Sequence, residues 1–103
     1  MKGGYPIRRL GPDDVTTMRA VNEVFAVAFG EAETYAAAPP DDAYLAGLLG
    51  REHVVALAAS VGGEVVGGLV GYELDKFERA RREFYIYDLA VAEAHRWRGS
   101  RRR

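Results

Sequence analysis

The chain has 103 residues, 49% hydrophobic and 28% charged, which suits one small soluble domain or part of a larger one. It has no cysteine, which excludes a disulfide framework, a Cys-based zinc site and a thiol nucleophile, and His53 and His95 lie too far apart for metal-ligand spacing. The formal charge of −1 divides into an acidic body, with eleven acids against five bases over residues 1–75, and a basic end, with nine bases against four acids over residues 76–103.

Tyr5 to Leu10 reads as a first strand, with Tyr5, Ile7 and Arg9 on one face. Gly11-Pro12-Asp13-Asp14 reads as a helix start: proline suits the first helical position and the aspartates complement the positive end of the dipole. Val15, Met18, Val21, Asn22, Phe25, Ala28 and Phe29 recur at helical spacing, and Gly30 is placed to cap the end. Residues 31–40 read as a loop that stiffens at Pro39-Pro40. Asp41 or Asp42 then caps a shorter helix carrying Tyr44, Leu45, Leu48 and Leu49 inward, closed by Gly50.

Val54 to Val61 is a near-continuous apolar run, the pattern of a strand covered on both faces. Gly62-Gly63 signals a two-residue hairpin into Glu64–Leu74, where Gly67, Gly68 and Gly71 weaken the strand unless a backbone or ligand approaches closely. A charged connection over Asp75–Arg82 leads to a last strand, Glu83–Val91, and a basic tail. The predicted order is β-α-α-β-β-β. No apolar run reaches transmembrane length and the first residues lack the apolar core of a signal peptide, so the expectation is a cytoplasmic protein without a membrane partner.

The chemistry concentrates at the end of the last strand. A strand that stops pairing at a bulge frees backbone N–H groups, and Asp88-Leu89-Ala90-Val91 can supply them whatever its side chains. The turn Arg96-Trp97-Arg98-Gly99-Ser100 can wrap phosphate oxygens in N–H groups, and Trp97 can stack on an adenine. A core strand ending in a solvated basic tail accounts for the same residues. Asp88 inside an apolar strand is costly unless it is paired, either by a hydrogen bond at a bend or by a ligand. Glu83 and Glu78, with Asp75, form an acidic group able to bind a polycation or simply to face water.

Several stretches resemble the N-terminal part of the GNAT superfamily of acetyl-CoA-dependent N-acetyltransferases, and within it the type I aminoglycoside 3-N-acetyltransferases. They are Arg9-Leu10-Gly11-Pro12-Asp13, Thr34-Tyr35, Tyr44-Leu45, Val65-Val66-Gly67, Lys76-Phe77-Glu78, and above all Tyr85-Ile86-Tyr87-Asp88-Leu89-Ala90-Val91 with His95-Arg96. The resemblance runs from about residue 7 to residue 99 and implies the front half of a GNAT fold, an α+β domain with a mixed, mainly antiparallel sheet. Residues 1–95 are family-like; residues 96–103 combine the start of a phosphate loop with an atypical basic tail. It also implies acetyl-CoA as co-substrate and an aminoglycoside as acceptor. Asp88 would attend the acceptor amine as charge partner or proton acceptor, and Tyr87 would line the same cleft. Tyr35 would lie in a loop that shapes the acceptor pocket. Leu89, Ala90 and Val91 would meet the cofactor arm, and Arg96 to Ser100 its pyrophosphate.

The family loop has the form Arg/Gln-x-x-Gly-x-Gly/Ala, and Arg101 stands where glycine or alanine belongs. The tail Gly-Ser-Arg-Arg-Arg is what a family-like Gly-Val-Ala-Thr-Ala would give one base out of register. The expectation is therefore a shortened enzyme with little or no turnover. The alternative is a non-catalytic module that pairs with a second copy through an exposed sheet edge. A nucleic-acid binder ranks last, because the acidic body would repel the phosphate backbone.

Overall fold

The computed structural model describes residues 6–95. In chain order the elements are β1 (Ile7–Arg9), α1 (Val15–Ala28), α2 (Ala32–Ala37), α3 (Asp42–Leu49), β2 (Val54–Val61), β3 (Glu64–Asp75) and β4 (Arg82–Val91), with a 3-10 turn at Glu93–His95. The strands form one sheet in the order β1-β2-β3-β4. This is the α+β class expected from the sequence, with one helix more than predicted. Among the described residues every strand pair is antiparallel.

The extra helix is α2, which replaces the expected loop. Four of its six residues are alanine or glutamate, which lose little entropy in a helix, and Glu33 sits in its first turn. It stops at Ala38, which has left helical geometry ahead of Pro39 because the proline ring disfavours it.

α1 also starts later than predicted. Gly11-Pro12-Asp13-Asp14 closes as a turn, with the Asp14 N–H donating to the Gly11 carbonyl at 2.9 Å. The Asp14 carboxylate accepts from the Gly11 N–H at 2.7 Å and from Arg8 at 2.9 Å rather than capping the helix. In α3 Asp41 is the cap, accepting from the Tyr44 N–H at 2.8 Å. Leu45 and Leu49 are buried there, but Tyr44 turns outward, one position off their stripe.

α1 lies across β3 and β4 and buries Met18, Val21, Phe25 and Ala26. The sheet answers with Ala56, Ala58, Val66 and Ala90, all buried. Val21 sits so close to Gly68 that a Cβ there would lie 2.5 Å from Val21 Cγ1, which gives that glycine its reason. Gly62 and Gly63 both have positive φ, 58° and 85°, and make the tight hairpin predicted between β2 and β3.

Cross-strand partners share a face, so the register sorts the sheet into two sides. Ala58, Gly68 and Ala90 face α1; Leu57, Leu69 and Leu89 face away from it. On that far side Leu89 (59%), Ile86 (50%) and Phe84 (45%) are exposed, and no described element covers them. β4 is the last strand of the sheet, with one edge unpaired among the described residues.

Candidate active site

The decisive local feature is a break in register between β3 and β4. Val70 pairs with Asp88, but the next residue, Gly71, pairs with Ile86, so Tyr87 is an extra residue on β4. A bulge of this kind resets the alternation of side chains. Without it, Asp88 would point away from the side that carries Tyr85 and Tyr87. With it, Asp88 opposes Val70, which packs on the core, and Tyr87 touches two rings of the helix side. Those are Tyr72 at 6.0 Å in an edge-on arrangement and Tyr85 at 6.5 Å.

Across from this group stands Tyr35 of α2. Partial burial pushes its phenol above the ordinary range, and the charges of Asp88 and Glu31, with Tyr87, push the same way. Asp88, Glu31 and Tyr87 thus lie near enough to Tyr35 for their charges to act on its phenol. Asp88 is half-buried, and no hydrogen bond or ion pair to its carboxylate is seen among the described residues. Tyr35 also lines a groove of about 420 Å³ between α1 and α2, with Arg19, Asn22 and Glu23. Arg19 fixes this arrangement by donating to the Pro40 carbonyl at 2.9 Å and to Asp42 at 2.6 Å, which ties the α2–α3 connection to α1.

Beyond the bulge, the Ala92 N–H donates to the Val66 carbonyl at 2.7 Å. Alternation then turns the N–H of Ala90 and Asp88 toward β3, and the N–H and C=O of Leu89 toward the open edge. Ala90 differs from its neighbours: its amide belongs to the ladder and its methyl to the core.

A half-buried carboxylate beside an edge that offers main-chain N–H and C=O groups is suited to an amine and an amide-bearing arm. The profile of the acetyltransferase (GNAT) family matches residues 18–100. The chain belongs to the GNAT family. Among solved structures, an aminoglycoside acetyltransferase from an uncultured soil metagenomic sample shares 47% identity at a TM-score of 0.89, over 94% of this chain and 64% of that one. A second aminoglycoside acetyltransferase from such a sample, in complex with sisomicin, shares 29% at 0.81, over 91% and 60%. The ribosomal-protein-alanine N-acetyltransferase of Brucella melitensis shares 26% at 0.68, over 94% and 63%. The chain therefore spans less than two thirds of the length of these GNAT structures. A comparison with curated proteins found no match.

Of the residues singled out in the sequence of this GNAT chain, Tyr35, Tyr87 and Asp88 come together, and Leu89 and Val91 follow them along the strand. Glu83 and Glu78 do not join that group. Arg81 pairs with Glu83 at 2.5 Å and with Glu78 at 3.8 Å, and Lys76 lies 3.6 Å from Glu83, so the β3–β4 connection balances its own charge. Arg96, Trp97, Arg98, Gly99 and Ser100 lie outside the described residues. Sequence reasoning missed Tyr72 and Tyr85 as neighbours of Tyr87. The i, i+2 spacing of Tyr85 and Tyr87 was readable, but Tyr72 needed the register of β3 on β4. The described residues hold no cluster of metal-ligating side chains and no helix long and apolar enough to cross a membrane.

Proposed function

We propose that this chain holds the acceptor amine and the acyl-CoA arm of an aminoglycoside-type N-acetyltransferase. The observation that carries the reading is the bulge at Tyr87, which puts Asp88 on the side of Tyr35 and Glu31 while Leu89 faces the open edge. The edge suits an extended arm bearing amides: Leu89 presents a donor and an acceptor in one direction, at strand spacing. Bound there, acetyl-CoA supplies an acyl group as a thioester. Leu89 would hold the arm, and Arg96 to Ser100 are the residues assigned to its pyrophosphate.

An amine meets the site as an ammonium ion, which cannot act as a nucleophile. Asp88 attracts it, and the carboxylate of Glu31 adds to the field. Asp88 then accepts its proton as general base, and the freed lone pair forms the C–N bond to the thioester carbonyl as the C–S bond breaks, coenzyme A leaving as a thiolate that takes a proton from water. Main-chain N–H groups of that edge lie where they can polarise a carbonyl oxygen. The relative that binds sisomicin supports an aminoglycoside as the acceptor class.

The test is binding by titration calorimetry, with acetyl transfer followed by mass spectrometry expected to give little or no product. The unaltered chain should bind acetyl-CoA and sisomicin, and Asp88→Asn should weaken sisomicin at least tenfold, the scale of a lost charge-assisted contact of about 1.5–3 kcal/mol, with acetyl-CoA binding retained. Failure to bind either ligand would refute the reading.

The exposed far side favours a second reading, in which the chain is a non-catalytic module that pairs with a second copy. Leu89, Ile86 and Phe84 form an apolar strip beside an unpaired strand edge, and such a surface tends to be covered. Light scattering that gave a defined dimer with no ligand binding would favour this over catalysis.

A further inference from the structure

Beside the proposed amine site lie three tyrosines that the acetyl-transfer chemistry does not use. Tyr72 and Tyr85 are cross-strand partners, and Tyr87 sits against both, 6.0 Å from Tyr72 and 6.5 Å from Tyr85. They are not core: Tyr85 is 56% exposed and Tyr87 64%, on a strand whose neighbour Ala90 is 8% exposed. Rings left in water next to a half-buried carboxylate are costly as packing and useful as a surface. Their faces attract both cations and the polarised C–H groups of a saturated ring.

We infer that Tyr72, Tyr85 and Tyr87 form an aromatic wall that selects acceptors built on saturated rings over flexible linear polyamines. The inference rests on the proposed function for the amine at Asp88 and adds what that carboxylate cannot supply. A carboxylate senses charge alone, so spermine and an aminocyclitol would satisfy Asp88 equally. The rings are inclined to one another, Tyr87 by 74° to Tyr72 and by 49° to Tyr85, and such a faceted wall rewards a rigid ring held against it. A linear chain gains less there, because it must lose rotamer freedom to make the same contact. The bulge is what joins the two devices, since it leaves Asp88 and the three rings on one side of the sheet.

The experiment is calorimetric titration of the full chain with sisomicin and, separately, with spermine, for the unaltered protein and for Tyr85→Leu, Tyr72→Leu, Tyr85→Phe and Asp88→Asn. Tyr85→Leu should weaken sisomicin about tenfold, as the saturated ring loses its aromatic face, and leave spermine, which has only the weaker exposed ring–cation contact to lose, within about threefold. Tyr85→Phe should keep the selectivity, because it keeps the ring. Asp88→Asn should weaken both ligands. Tyr72 is half-buried, so circular dichroism checks the fold of Tyr72→Leu, and the exposed Tyr85 carries the test if that variant unfolds. Equal loss of both ligands in Tyr85→Leu, or no loss of either, would overturn the wall and leave the amine site standing. Spermine binding to the unaltered chain without sisomicin binding would also overturn the wall. Binding of neither would overturn the proposed function with it.

Discussion

Asp88 shows how one residue changes meaning with its neighbours. In the sequence it is an acid interrupting an apolar strand, which burial would penalise. In the fold its charge acts on the phenol of Tyr35, and a tyrosine cluster lies alongside. Tyr35 reports on that field. Its phenol is held above the ordinary range near 10, so its neutral form contributes stability below that pH. That contribution is lost as pH rises through the folded value. Thermal melts at pH 8 and pH 11 should show the unaltered chain losing more stability over that interval than Tyr35→Phe. Equal losses would mean that neither burial nor the charges of Asp88 and Glu31 raise the Tyr35 phenol.

At the scale of elements, the hydrophobic pattern defined most of the secondary structure. The apolar run at 54–61 is β2, the Gly62-Gly63 pair is the hairpin, and the stripe from Val15 to Phe25 is α1. Two elements were not legible. α2 carries no amphipathic stripe, since alanine at half of its positions marks neither face, so only local propensity and packing on α1 define it. The bulge suggested for the end of β4 could not be placed from sequence: it falls at Tyr87, fixed by the register of β3 on β4, and Asp88 to Val91 go on pairing with β3 beyond it.

The site was legible to the same degree: Asp88 and Tyr87 stood out as residues, but their shared side did not. The glycines of β3 were flagged as weak points needing a close neighbour, and the structure supplies Val21 over Gly68 and the Phe84 ring over Gly71. Gly68→Val should therefore push α1 off the sheet and cost about 1–3 kcal/mol, as overpacking does. A melting temperature unchanged by that substitution would show that α1 does not rest on β3 as described.

At the scale of the molecule, the sheet is asymmetric. One side carries α1 and the buried core; the other exposes Leu89, Ile86 and Phe84 beside an open strand edge. The solved GNAT structures extend well beyond the length matched here, at 64% and 60% coverage of their chains. For the chain itself the exposed strip predicts self-association. Ile86→Lys with Leu89→Lys should shift sedimentation toward monomer at micromolar concentration, because charge on an edge strand opposes pairing. An identical distribution for both proteins would remove that strip from any interface.

The proposed function depends on the β4 edge past the bulge receiving an acyl-CoA arm. Acetyl-CoA titrated into ¹⁵N-labelled chain and followed by amide chemical shifts tests it most directly. The amides of Leu89 and its neighbours on β4 should move saturably, with those of Val55 and Ala56 in the interior of β2 nearly still. Shifts absent from β4, or spread evenly over the sheet at millimolar ligand, would contradict it.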